Sequence, residues 1–170
     1  MKTNFLVVLF LFNLLLLNKL NAQNAKFVEY RWHPANATTT SKGLPDRLLT
    51  DELFKVEITM QNNGTTTWGN AVEKTKVTMV SKNNNFNMNW GTYFISIGQG
   101  NNVAPGASFT FWSWLKAPHE PGDYVFSWQC QEWLPSDPNL PPDTASAFFG
   151  DITTPQTITV CKEQKQLPNK

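Results

Sequence analysis

Residues 117–133 read APHEPGDYVFSWQCQEW, and this stretch decides the fold class. Pro118, Pro121 and Gly122 make a turn, since proline presets one backbone angle and glycine tolerates the other. After the turn the side chains alternate, with Tyr124, Phe126, Trp128 and Cys130 on one face and Val125, Ser127 and Gln129 on the other. Successive side chains of a strand point to opposite faces, so this is a strand that turns a large aromatic face to a core. The rest of the chain has to supply its partners.

Working outward, residues 108–116 alternate Phe109, Phe111, Ser113 and Leu115 with Thr110, Trp112, Trp114 and Lys116. The first set holds the larger apolar content and is assigned to the core, which leaves Trp112 and Trp114 on the outer face. Phe54, Val56, Ile58 and Met60 alternate with Lys55, Glu57, Thr59 and Gln61, a strand with one core side and one wet side. Asn62, Asn63 and Gly64 close it as a turn. Residues 26–32, 75–81, 90–97 and 157–160 are further predicted strands. Residues 43–51, 83–89 and 134–143 read as loops, with Phe86 and Met88 as candidates to dip toward the core. No sustained helical period follows residue 22, so the class is all-β: an immunoglobulin-like β-sandwich of about seven to nine antiparallel strands. A closed barrel is the structural alternative.

The first residues bear on the compartment. Lys2, the apolar run from Phe5 to Leu17 and the small-residue site at Leu20, Asn21 and Ala22 read as a secretory signal peptide over residues 1–22. A sandwich domain is expected over 23–161 and a polar tail over 162–170. The expected location is secreted or extracellular, periplasmic or cell-surface in a bacterial host, with no membrane insertion after cleavage. The full chain has 170 residues with 14 Lys plus Arg against 13 Asp plus Glu. Such a balance gives no electrostatic reason to bind nucleic acid.

Several of these pieces, in this order and spacing, resemble one family. Phe54 to Trp68 (FKVEITMQNNGTTTW), then Val103, Pro105 and Gly106, then Ala117-Pro118, Pro121-Gly122, Tyr124 and Trp128, and finally Phe149-Gly150 before a strand ending in Val160 are similar to the four-tryptophan domain. That domain is the immunoglobulin-like central domain of the neighbour-of-BRCA-one autophagy receptor. The chain departs from the pattern in placing Ile58 before the Asn-Gly turn and in having no tryptophan in its last strand. The resemblance implies a sandwich that binds other macromolecules without catalysis, with a protein as the habitual partner.

Two histidines and two cysteines lack the paired spacing of a zinc site, and neither a phosphate loop nor a nucleophile elbow is present, so no metal, cofactor or catalytic residue is expected. His119 reads as a turn residue and His33 as the end of the first strand's run, while Asp137 and Asp143 read as solvated loop carboxylates. The candidate binding residues are Trp112 and Trp114, because two rings at i and i+2 stand about 7 Å apart on one strand face. Trp90 and Trp133 are candidates to enlarge that patch. Burial beneath the loop at 134–143 is the competing reading. Cys130 and Cys161 are a candidate disulfide in an oxidising compartment, against one buried and one surface thiol. Asn36 and Asn63 head glycosylation sequons. The expected function is a secreted, non-catalytic binding or structural module with a protein partner. The alternatives are a carbohydrate-binding module that takes a cell-surface glycan on Trp112 and Trp114, and, more weakly, a small secreted hydrolase.

Overall fold

A computed structural model describes residues 23–35, 37, 39–69, 76–82, 88–98, 100–133 and 146–162. Residues 1–22, read above as a signal peptide, Asn36, residues 83–87 with Phe86, residues 134–143 with Asp137 and Asp143, and the residues after Lys162 lie outside the described residues. All regular structure among the described residues is β. The strands are β1 (Ala25–Pro34), β2 (Ser41–Lys42), β3 (Arg47–Leu49), β4 (Leu53–Asn62), β5 (Trp68–Gly69), β6 (Lys76–Ser81), β7 (Phe94–Ser96), β8 (Asn102–Val103), β9 (Ser108–Lys116), β10 (Gly122–Phe126), β11 (Trp128–Trp133), β12 (Ser146–Ile152) and β13 (Gln156–Cys161).

They form three hydrogen-bonded sheets around one core. The first has the order β2-β1-β4-β9, the second β10-β13-β3, and the third β12-β11-β6-β5-β8 with β7 beside β6. All pairings are antiparallel except β13 with β3 and β5 with β6. β3 falls in the 43–51 stretch expected to be loop, and it owes its strand to pairing with β13 at the far end of the chain. A three-residue segment such as Arg47–Leu49 has no period of its own to reveal that.

The central expectation holds on β4. Phe54, Val56, Ile58 and Met60 are completely buried while the intervening residues are half-exposed. Each such side chain contributes about 1.5–3 kcal/mol when fully buried. On β1 the simple alternation breaks at a bulge between Phe27 and Glu29. The extra residue, Val28, is turned to solvent, so Phe27 and Tyr30 both meet the core despite their i, i+3 spacing, with ring centroids 4.7 Å apart.

The stretch at 124–130 behaves differently from one continuous strand. Its alternation persists, with Phe126, Trp128 and Cys130 buried, but the chain leaves the second sheet after Phe126 and enters the third at Trp128. Ser127 is the joint: it is buried, and its carbonyl accepts from Lys82 N at 3.0 Å. Trp128 is then held by buried Thr153, whose hydroxyl accepts from Trp128 N at 2.8 Å and whose N donates to Trp128 O at 2.8 Å. The inward face stays inward because both sheets line the same core.

One turn and one point within β12 are pinned by close contacts. Asn62 is fully buried, with its amide donating to Thr66 O and Val103 O, both at 2.8 Å, and its carbonyl oxygen accepting from Gly64 N at 3.1 Å. This satisfies a polar side chain whose burial would otherwise be costly. Gly150 sits at φ 70° where an added Cβ would lie 2.4–2.5 Å from backbone and side-chain atoms of Ala25. Only glycine lets β12 pass so close to the start of β1.

The Cys130–Cys161 disulfide is not formed. Cys130 is buried on β11 with its thiol 3.4 Å from Met79 Sδ, whereas Cys161 ends β13 in another sheet and is half-exposed. Burial pushes the Cys130 thiol far above the usual thiol range, which leaves it inert. Met88, a candidate to dip inward, is 58% exposed.

Candidate functional surface

The outer face of the first sheet is built by the residues that alternate with its core set. Pairing places Trp112 opposite Glu57, which lies opposite Arg31, which lies opposite Lys42. In the next row, Trp114 lies opposite Lys55, which lies opposite His33. Trp112 is 57% and Trp114 49% exposed, so both rings stand on the surface as the alternation of 108–116 predicts. β9 occupies one edge of this sheet.

Neighbouring polar groups hold the rings in place. Lys55 Nζ lies 4.9 Å from the centroid of the Trp112 ring and 2.8 Å from Glu57 Oε1, a cation–π contact coupled to an ion pair. His33 meets the Trp114 ring edge-on at 5.7 Å. Arg31 Nε donates to Glu29 Oε1 at 2.8 Å and extends the polar rows. The result is a flat mixture of aromatic and charged groups on rigid strands, a form suited to contact with a large partner.

The other candidate residues fall elsewhere. Trp90 is a correction: it is completely buried, with its ring 6.0 Å from Phe54, 6.1 Å from Tyr124 and 5.3 Å from Phe126. It belongs to the core and adds nothing to the outer face. Trp133 ends β11, in the third sheet, opposite Ser146 and Lys76 rather than beside β9. Asn63 is exposed in its turn, accessible to modification, and Asn36 lies outside the described residues.

Two polar features were not legible in the sequence. Asp51, at φ 62°, receives Lys116 Nζ on Oδ1 and His119 Nδ1 on Oδ2, each at 2.6 Å. Lys116 and then His119 hold the Asp51 carboxyl below the ordinary carboxylate range, and Asp51 in turn raises His119 above its ordinary value. His119 is thus more than an incidental turn residue, because it joins the 117–122 turn to the corner before β4. The signal was faint: an aspartate tolerates positive φ, but nothing local gives its partner. Near this corner a groove of about 470 Å³ is lined by Arg47, Leu48, Leu49, Glu52, Cys161 and Lys162. In it Arg47 Nε and one of its terminal nitrogens point at Cys161 Sγ from 3.3 and 3.2 Å. No histidine stands in that lining to act as a base toward the thiol. Among the described residues no cluster of His, Cys, Asp and Glu could hold a metal ion.

No family model matches the chain, and no curated protein matches it.

Proposed function

We propose that the chain is a secreted, non-catalytic binding module that engages a protein partner through the outer face of its four-stranded sheet. The observation that carries this reading is the pair of exposed rings, Trp112 and Trp114, fixed side by side on β9 among Lys55, Glu57, Arg31 and His33. Tryptophan and arginine dominate the energetics of protein interfaces, and a sheet face presents them with little loss of conformational freedom.

An immunoglobulin-like, four-tryptophan type of sandwich remains the family reading. It is supported by Tyr124, whose hydroxyl donates to Glu120 O at 2.9 Å and so makes a corner of the kind such sandwiches use. Buried Trp68 and Trp128 occupy the positions that the resemblance assigns to the core.

A second reading is favoured by the same two rings: sugar rings stack on exposed indoles, which would make the ligand a surface polysaccharide. One experiment separates these. Wild type and the Trp112→Ala, Trp114→Ala double variant are passed over insoluble polysaccharides and over an immobilised extracellular protein fraction. Retention by the protein fraction that weakens roughly thirtyfold or more in the variant, the effect of losing about 2 kcal/mol of hot-spot contact, supports the lead reading. Retention by polysaccharide alone supports the second, and equal retention of both forms on either matrix overturns the assignment of the surface.

A further inference from the structure

Among the described residues, β9 has no hydrogen-bonded strand on the side away from β4, although β7 comes near it without pairing. Its odd residues face β4: Ala107 O accepts from Asn62 N, and Ala117 N donates to Glu52 O, at the two ends of the pairing. Along a strand the direction of the backbone N–H reverses at each residue, so Thr110, Trp112 and Trp114 direct theirs away from β4. At Lys116 this outward N–H is taken by Trp90 O at 3.1 Å. The outward N–H groups of Thr110, Trp112 and Trp114 have no such acceptor among the described residues.

The sequence of this edge lacks the usual protection. Exposed edge strands are normally blunted by charges, prolines or bulges, because an unpaired ladder recruits another strand. Ser108 to Leu115 (SFTFWSWL) has neither a charged residue nor a proline, and its pairing with β4 runs without a register shift over the whole of β9. Lys116 is the single charge, and it stands at the end already closed by Trp90.

We propose that this edge pairs with the same edge of a second copy, antiparallel about a two-fold axis at Trp112. Residues with outward N–H groups must face one another in such a ladder, and this register meets that condition from Thr110 to Trp114. Trp112 faces Trp112 of the second copy and Thr110 faces its Trp114, and the ladder stops short of Lys116, whose N–H Trp90 holds. No like charges are opposed, and the formal net charge of +1 adds little repulsion between copies. The two four-stranded sheets become one continuous sheet with the four rings of Trp112 and Trp114 grouped at its centre. Cross-strand aromatic pairs of this kind stabilise a ladder. The inference rests on this unpaired edge and is independent of which ligand the face takes.

The test is the mass of the mature chain in solution, by light scattering and sedimentation across a micromolar concentration range, for wild type and for Thr110→Pro. The N–H of residue 110 faces outward, so proline there removes an edge donor and leaves the backbone bonds to β4 in place, at the loss of the exposed hydroxyl contact with Thr59. Wild type doubles in mass with concentration and T110P stays monomeric with an unchanged circular dichroism spectrum. A second variant fixes the register: Trp112→Cys in a Cys161→Ser background cross-links to a covalent dimer on mild oxidation, since facing residues of a hydrogen-bonded pair lie within disulfide reach. Val28→Cys in the same background, exposed on β1, does not. Wild type that remains monomeric, a T110P variant that still doubles, or W112C that fails to cross-link overturns the proposal. T110P monomers that keep their ligand retention leave the binding reading standing on its own.

Discussion

Five of the seven tryptophans fall into two groups that the sequence does not distinguish by composition. Trp68, Trp90 and Trp128 are completely buried, whereas Trp112 and Trp114 are about half-exposed on a regular strand. The buried rings pack against other rings, Trp68 edge-on to Phe149 at 5.8 Å and Trp128 tilted against Phe126 at 5.7 Å. The exposed rings meet Lys55 and His33 instead. The inner group is therefore built into the core and the outer group stands outside it, and each group should respond to substitution in its own way.

The largest effect belongs to the inner group. Trp128→Ala should cost about 3–5 kcal/mol, read as a shift of the urea midpoint, because the surrounding sheets cannot collapse into the space. Trp128→Phe should cost less than half of that, since the indole N–H of Trp128 has no hydrogen-bond partner among the described residues and its removal leaves no acceptor stranded. Equal losses for the two variants would mean that the N–H, and not ring volume, matters.

Next comes Gly150, which controls how closely β12 approaches β1. Gly150→Ala should cost about 2–4 kcal/mol, combining a positive φ with overlap at Ala25. Gly43→Ala, at φ 86° but with open space around it, should cost only the backbone strain, about 1 kcal/mol. A Gly150 variant no worse than the Gly43 variant would contradict the tight crossing.

Much of this core was legible because alternation reports burial whichever sheet a strand joins. Phe54, Val56, Ile58, Met60, Phe111, Leu115, Phe126, Trp128, Ile158 and Val160 all lie inside as their spacing predicts. The sheet change at Ser127 was hidden for the same reason. No glycine or proline marks the joint, and Thr153, which holds Trp128, lies far along the chain. Trp90 was misplaced because it lies in a turn, where no period applies, and only its contacts with Phe54 and Phe126 reveal its burial. Of the outer face, Trp112 and Trp114 could be read from β9 alone. Lys55, Glu57, Arg31 and His33 could not be joined to them until the β1-β4-β9 order was known.

A smaller effect is expected at the exposed corner where Asp51, just before β4, meets Lys116 and His119 at the end of β9. His119 should titrate by NMR above its ordinary value of 6.5, and Asp51→Asn should lower it toward that value. The sign follows from the shifts. His119 is raised on folding, so its contribution is present at low pH and is lost as pH rises through the folded value. Asp51 is lowered, so its contribution is present above 3.8 and is lost as pH falls through its folded value. The pair therefore supports the corner between those limits, most fully from just above the ordinary Asp value to just below the ordinary His value. A His119 midpoint unmoved by D51N would dissolve the link.

The smallest effect on stability belongs to the outer rings, and it is the most telling. Urea unfolding of the Trp112→Ala, Trp114→Ala double variant, at a concentration low enough to keep the chain monomeric, tests directly whether these rings are free of the fold. The midpoint should match wild type to within about 0.5 kcal/mol, as expected for surface positions outside the core. A loss on the scale of Trp128→Ala would show that Trp112 and Trp114 are part of the core after all, and would remove the basis for a binding surface on β9.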